Sequence, residues 1–155
     1  IKHADQVIAR VLRLDHRLCG IHRRETPDIG ALADIGQRFL ESGFAVTDAV
    51  HAEGAAISAQ IGHAGPVANA AKNGVPSLSA SREVNPISMK ITRPITETEI
   101  ERVTMDYARG ASLMAEAGFD SIEIHLAHNY LLSSFLSPKF NRRKDSWSGS
   151  LETGP

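Results

Sequence analysis

Apolar and polar residues alternate with two different periods along this chain, and the change of period predicts its secondary structure. Residues 31–52 favour a helix that Gly54 closes. The short apolar run at 55–62 is typical of a strand buried on both faces, as in a parallel sheet. The next stretch, 63–94, is rich in Gly, Pro, Ser and Asn and is predicted to be a long loop, a feature that is often functional.

The second half of the chain repeats the order of helix and strand. Thr96 and Glu99 form a capping box at the start of a helix. One apolar stripe follows along that helix, made of Ile100, Val103, Tyr107, Ala111 and Met114. A second strand is predicted at 119–125 and a short helix at 130–136. Helix, strand, helix, strand is the order of parallel βα units, and it places the chain in the α/β class.

Several residues with useful chemistry fall where these strands end. Gln60 lies near the end of the first strand, and His125, His128 and Tyr130 follow the second. Imidazole N–H groups can stabilise negative charge on a carbonyl oxygen, and a tyrosine can deliver a proton to a neighbouring carbon. The amide of a glutamine can form hydrogen bonds with the donor–acceptor edge of a heterocycle. On spacing alone, a histidine pair or a glutamine at a strand end more often has a structural role.

Composition narrows the classes of function. Among the 155 residues, 17 are basic and 18 acidic, so the chain has no excess of positive charge that would indicate binding to nucleic acid or an anionic membrane. Cys19, the single cysteine, cannot form an internal disulfide, and the protein is therefore expected to be cytoplasmic. No apolar run approaches the roughly 20 residues of a membrane span. No other residue of a metal-ligating type lies at a sequence spacing that marks it as a partner of these histidines, so no metal site is predicted.

The basic run at 141–145 has two interpretations. It can bind phosphate, or it can be a structural loop with an internal Arg–Asp pair, and the second interpretation is preferred. Neither a Walker-type nor a dinucleotide glycine pattern occurs in the chain.

One long segment resembles a known family. Residues 119–152, FDSIEIHLAHNYLLSSFLSPKFNRRKDSWSGSLE, are similar to the old yellow enzyme family of FMN oxidoreductases, which includes 2,4-dienoyl-CoA reductases. AQIGHAG at 59–65 is similar to the strand end Gln-Leu-x-His-x-Gly of that family. The resemblance covers roughly residues 44–152. Three positions depart from the family pattern, namely Pro66 in place of Arg, Asn129 in place of Gly, and Ser148-Gly149 in place of paired glycines.

The resemblance implies both a fold and a reaction. The fold is a (β/α)8 TIM barrel with long loops at the carboxyl ends of its parallel strands. The reaction is the FMN-dependent reduction of an activated C=C bond in an enone, enal or enoyl thioester, with NAD(P)H as the reductant. By the same resemblance, His125 and His128 bind the carbonyl oxygen, Tyr130 protonates the α-carbon, and Gln60 contacts the pyrimidine edge of FMN.

A complete barrel takes about 250 residues, so this chain is expected to be a fragment of one. Residues 1–30 are a poorly assigned N-terminal segment, and 31–155 are predicted to be a partial barrel domain truncated at its C-terminus. The isolated fragment is expected to be inactive, and homo-oligomerisation stays open. Two alternatives to an ene-reductase also stay open, a metal-dependent TIM-barrel hydrolase and a truncated, non-catalytic binding protein.

Overall fold

The computed structural model describes residues 29–68, 70, 76–85 and 89–148, with side chains from residue 40 onward. These residues form two compact units, 29–61 with 103–124, and 62–102 with 125–148. The predicted N-terminal segment, 1–30, lies outside the described residues except for its last two, which belong to a helix.

The described elements follow the predicted order. They are α1 (Ile29–Ala52), β1 (Ser58–Ile61), a 3-10 turn (Gly65–Val67), β2 (Leu78–Ser79), β3 (Arg93–Pro94), α2 (Glu97–Glu116), β4 (Ser121–Ile124) and α3 (Leu131–Leu136). Both predicted strands and all three predicted helices from residue 29 onward are present. No helix in the described part of the chain is long and apolar enough to cross a membrane.

The first unit is built on a parallel strand pair. β1 pairs with β4 in a register that runs from Ser58 opposite Ser121 to Ile61 opposite Ile124. A parallel pair needs a long crossover connection, which the chain between the two strands provides and which includes α2. The predicted parallel βα arrangement is therefore confirmed.

The core of this unit lies on one face of the strand pair. Its buried side chains are Ile57, Ala59, Ile61, Met114, Ala117 and Phe119. Leu40, Val46 and Val50 of α1 and Tyr107 and Ala111 of α2 pack around them.

The prediction of a strand buried on both faces is wrong for β1 in these residues. Buried and half-buried residues alternate along it, and Ser58 and Gln60 are only half-buried. The helices cover the face that carries Ala59 and Ile61, and no described helix of this unit covers the other face. β4 is more open still, with Ile124 52% exposed.

Asp120 joins the end of α1 to the start of both strands. Its Oδ2 accepts hydrogen bonds from the backbone N–H of Ile57 at 2.8 Å and pairs with His51 Nε2 at 2.9 Å. The Ile57 N–H, and then the His51 ring, lower the pKa of Asp120 because they favour its ionised form. The pairing of β1 with β4 thus begins next to the carboxylate of Asp120, which is hydrogen-bonded to Ile57 and His51.

The second unit contains structure where a long loop was predicted. β2 and β3 pair in parallel, with Leu78 opposite Arg93. Thr92 Oγ1 accepts a bond from the Glu83 N–H at 3.0 Å and donates one to the Glu83 carbonyl at 3.1 Å. The loop prediction for 63–94 is therefore wrong in part, because hydrogen bonds between residues distant in sequence leave no periodic signal.

The predicted capping box starts α2. The Thr96 N–H donates to Glu99 Oε2 at 2.9 Å, and the Glu99 N–H donates to Thr96 Oγ1 at 3.3 Å. Arg93 of β3 adds a bidentate contact to the same carboxylate, at 2.6 and 2.9 Å. The hydrogen bond from Arg93, with the smaller contribution of Thr96, lowers the pKa of Glu99 to about 2.

Replacing Glu99 with Gln is expected to lower the free energy of unfolding by about 1 kcal/mol at pH 7, because the cap and a partly exposed ion pair are both weakened. The folded-state pKa lies below the ordinary value of 4.5, so this stabilisation is present above about pH 4.5 and is lost as the pH falls towards 2. Urea unfolding at pH 7 and pH 2 measures it. Glu101→Gln, on the exposed side of the same helix, is the control. An equal effect of both substitutions, or an effect of Glu99→Gln that persists at pH 2, would contradict the prediction.

Candidate active site

The structure brings together three of the predicted site residues, His125, His128 and Tyr130. His128 Nδ1 and His125 Nε2 are hydrogen-bonded at 3.0 Å. The Tyr130 ring meets the His125 ring edge-on, with the ring centroids 4.7 Å apart. His128 is exposed, and the other two are half-buried, so a ligand can reach the cluster.

A tight turn after β4 creates this cluster. His128 and Asn129 have φ angles of 59° and 53°, and the Tyr130 N–H closes the turn on the Ala127 carbonyl at 3.1 Å. Asn tolerates the left-handed region better than most residues, which explains why it can stand at a position where the resembling family has Gly. The left-handed pair turns the chain so that residues 125, 128 and 130 converge.

The bond between the two imidazoles limits what they can donate. A neutral imidazole has one N–H donor and one acceptor nitrogen. The contact between the rings uses one of the two N–H groups of a neutral pair, whichever ring donates. The remaining N–H is at His125 Nδ1 or at His128 Nε2, according to the tautomer. A second donor becomes available when the mutual bond opens or when the pair takes up a proton.

Helix α3 holds Tyr130 at its N-terminus. The Leu131 N–H donates to the His63 carbonyl at 2.9 Å, and the Ser134 N–H donates to the Tyr130 carbonyl at 2.9 Å. Ser134 Oγ accepts a bond from the Ala80 N–H at 3.0 Å. The helix is therefore tied on one side to the loop after β1 and on the other to the residue that follows β2.

Arg143 secures the same region from the polar loop after α3. Its side chain is 9% exposed, and it donates to the carbonyls of Ala80 at 3.1 Å and Ile95 at 2.6 Å. It also donates to Asp145 Oδ1 at 2.9 Å, which lowers the pKa of that carboxyl, and it lies over the Phe135 ring of α3. The predicted internal Arg–Asp pair is confirmed. The Ala80 peptide thus connects Arg143 with Ser134 of α3.

Gln60 belongs to the first unit, while His125, His128 and Tyr130 belong to the second. Gln60 Nε2 donates to Glu123 Oε1 at 2.6 Å, across the strand pair in register. Among the described residues Glu123 is the one partner of this amide, so its carbonyl oxygen and second N–H remain. An amide in this state fits the donor–acceptor edge of a flavin's pyrimidine ring.

Metal binding finds no support in the described part of the chain. No three His, Cys, Asp or Glu side chains there are grouped closely enough to hold a metal ion.

Parallel strands that are joined through helices, with chemical groups on the loops after the strands, are the βα units from which (β/α)8 barrels and other α/β folds are built. Residues 39–153 match the NADH:flavin oxidoreductase / NADH oxidase family, which is more than half of the chain. The chain belongs to this family. The resemblance found in the sequence and the predicted fold class are both confirmed.

Similar proteins include reductases from bacteria and plants. The chain is 50% identical over 106 residues to a 4,4'-dithiodibutanoate disulfide reductase of Rhodococcus erythropolis, covering 68% of this chain and 26% of that protein. It is 37% identical over 135 residues to 12-oxophytodienoate reductase 1 of Oryza sativa subsp. japonica, covering 83% of this chain and 34% of the relative.

A solved structure agrees with these sequence matches. The old yellow enzyme homologue from Zymomonas mobilis is 29% identical with a TM-score of 0.67, over 74% of this chain and 35% of that chain. The chain therefore spans about a quarter to a third of the length of these relatives.

Gly65→Ala is expected to loosen the support of Tyr130. Gly65 has a φ of 53°, and a Cβ there would lie 2.5 Å from the Leu131 nitrogen. Gly54→Ala is the matched control, because Gly54 has a φ of 72° but nothing within 4 Å of its Cβ position. Backbone strain costs about 1 kcal/mol at either site, and the clash adds about 1–3 kcal/mol at Gly65. Urea unfolding measures both variants, and equal losses would contradict the account of this contact.

Proposed function

We propose that the protein carrying this chain is an FMN-dependent oxidoreductase that reduces an activated C=C bond with NADH or NADPH. The observation that carries this proposal is the convergence of His125, His128 and Tyr130 on one turn, in a chain of a flavin oxidoreductase family. The substrate is a small unsaturated carbonyl compound, an enone, enal or enoyl thioester.

Gln60 is the residue that we assign to FMN. Its amide retains a carbonyl oxygen and an N–H beside the contact with Glu123, which suits the pyrimidine edge. The glutamate fixes the orientation of the amide, because its carboxylate accepts from the NH2 group and so points the carbonyl oxygen away. When bound, FMN supplies the hydride that is added to the β-carbon of the substrate.

The histidine pair binds the carbonyl oxygen of the substrate. Negative charge grows on this oxygen as the C=C bond is reduced, and an N–H donor aimed at it stabilises that charge. One N–H of a neutral pair is available while His128 Nδ1 and His125 Nε2 are joined. The carbonyl oxygen can replace the ring–ring bond and receive both donors, so the pair gains its second contact only when substrate is bound.

Tyr130 provides the proton. Its ring lies 4.7 Å from that of His125, centroid to centroid, so the phenol lies beside the group that holds the carbonyl. The α-carbon is directly bonded to the carbonyl carbon, and a donor next to the carbonyl site can therefore reach it. Hydride at the β-carbon and the phenolic proton at the α-carbon together complete the saturated product.

Tyr130→Phe is expected to lower kcat for reduction of an enone about 100-fold or more, because the general acid is removed. Reduction of the flavin by NADPH is expected to stay unchanged, since it needs no proton from this residue. Stopped-flow absorbance of the full-length protein separates the two half-reactions.

Tyr107→Phe makes the same chemical change on α2 and serves as the control, with both half-reactions expected to be unchanged. The assignment of Tyr130 fails if Tyr130→Phe keeps its full rate of enone reduction, or if both half-reactions slow equally.

Gln60→Leu is expected to weaken FMN binding about tenfold, because one or two hydrogen bonds to the ring are lost. Fluorescence titration of the full-length protein with FMN gives the dissociation constant. Glu123→Gln, which keeps a hydrogen-bonding partner for the amide, is the control and is expected to have a smaller effect. Unchanged FMN affinity in Gln60→Leu would show that this residue does not contact the flavin.

A further inference from the structure

A groove in the second unit combines positive charge with apolar side chains. Its volume is about 420 Å³, and it lies entirely within the second unit. The positively charged lining consists of Arg82, Lys139 and Arg142, and the apolar lining of Val84, Ile91 and Phe140. This volume is within the usual range for small-molecule sites.

The positive charge of the groove comes from these three side chains. Within the described part of the chain, none of them has a carboxylate partner, whereas Arg93 and Arg143 are ion-paired with Glu99 and Asp145. The one acidic residue of the lining is Glu83, so the groove keeps a positive balance although the chain as a whole has a formal charge of −1.

Arg142 is held in place before any ligand binds. Its backbone N–H donates to Ser81 Oγ at 2.9 Å, and its guanidinium donates to the carbonyls of Lys139, at 3.3 Å, and of Arg82. A guanidinium has five N–H donors, so donors remain for an anion. Because the side chain is already ordered by two carbonyls, little rotamer freedom is lost when an anion binds.

The apolar wall is exposed to solvent. Val84 is 53% exposed and Ile91 62%, and the two residues form an antiparallel bridge. Phe140 completes the apolar part of the lining, with Lys139 Nζ 5.5 Å from its ring centroid. A ligand that fits this lining therefore has an apolar body and an anionic group.

Glu83 connects the groove to the histidine cluster. Its carboxylate accepts a hydrogen bond from Ser79 Oγ and another from Asn129 Nδ2 at 3.5 Å. Asn129 stands between His128 and Tyr130 in the turn that forms the cluster. Within the described residues, the carboxylate is therefore engaged by Ser79 and Asn129 and makes no ion pair with the three cations of the groove.

We propose that this groove binds the anionic group of the substrate, a carboxylate or phosphate carried on an apolar chain, while the unsaturated carbonyl reaches His125 and His128. This proposal rests on the proposed function only for the unsaturated carbonyl, the end of the substrate that reacts. It narrows the substrate class to unsaturated carbonyl compounds with an anionic tail, either free acids or thioesters of a phosphorylated carrier.

The test compares three saturated probes that cannot be reduced, namely hexanoate, hexanoyl-CoA and neutral hexanamide. Calorimetry on the full-length protein with FMN gives the dissociation constants of wild type, Arg142→Gln, Lys139→Gln and the control Lys144→Gln. Lys144 is exposed on the same loop and does not line the groove.

For the anion that the groove binds, Arg142→Gln is expected to weaken binding about tenfold and Lys139→Gln about threefold. Binding of hexanamide, and of every probe to Lys144→Gln, is expected to be unchanged. A loss confined to hexanoate identifies a carboxylate, and a loss confined to hexanoyl-CoA identifies a phosphate carrier. Raising the salt concentration is expected to weaken only the anionic probe.

Equal affinities of the anionic and neutral probes in wild type, or equal losses for both in Lys139→Gln, would overturn the proposal. Lys139 makes no hydrogen bond through its side chain within the described residues, so its substitution leaves the fold of the groove in place. Because the probes are not reduced, the result is independent of turnover. A protein that binds the anion selectively but reduces no enone would contradict the proposed function and leave the groove assignment standing.

Discussion

The parallel pairing of β1 with β4 is the constraint from which the arrangement of the chemical groups follows. Parallel strands end at the same edge, so the loops that follow them begin side by side. The contact between Gly62 and His125, the residues after the two strands, shows how close the loops are, since a Cβ on Gly62 would lie 3.1 Å from the Cβ of His125. The same register sets Gln60 opposite Glu123.

In the second unit, buried polar contacts rather than a large apolar core hold α3 and the turn before it in position. The Ala80 peptide accepts a hydrogen bond from Arg143 and donates one to Ser134, and Ser134 belongs to the helix that begins after Tyr130. Such contacts are directional, and they specify one orientation of α3 where apolar packing would tolerate several. A fixed α3 in turn fixes the tight turn that carries His128. The contacts that hold the helix therefore also position the side chains of the candidate active site.

Local patterns in the sequence predicted the elements of the fold, because those patterns report short-range physics. The capping box of Thr96 and Glu99 located the start of α2, and the apolar run before Gln60 located β1. The paired strands within 63–94 were missed, since their hydrogen bonds join residues far apart in sequence. The sequence placed the histidines and Tyr130 together after the second strand, but the left-handed turn at His128 and Asn129 that brings them together has no local signal in the sequence. The basic groove was also missed, because its lining comes from three separate segments.

The central claim is that FMN and Tyr130 together reduce a C=C bond, and product analysis in deuterated water tests it most directly. The full-length protein with FMN and unlabelled NADPH is incubated with an enone, and the product is examined by NMR. The account predicts a saturated ketone with hydrogen from NADPH at the β-carbon and deuterium from the solvent-exchanged phenol at the α-carbon. A flavin-loaded protein that oxidises NADPH but leaves the C=C bond intact, or a product without deuterium at the α-carbon, would contradict the account.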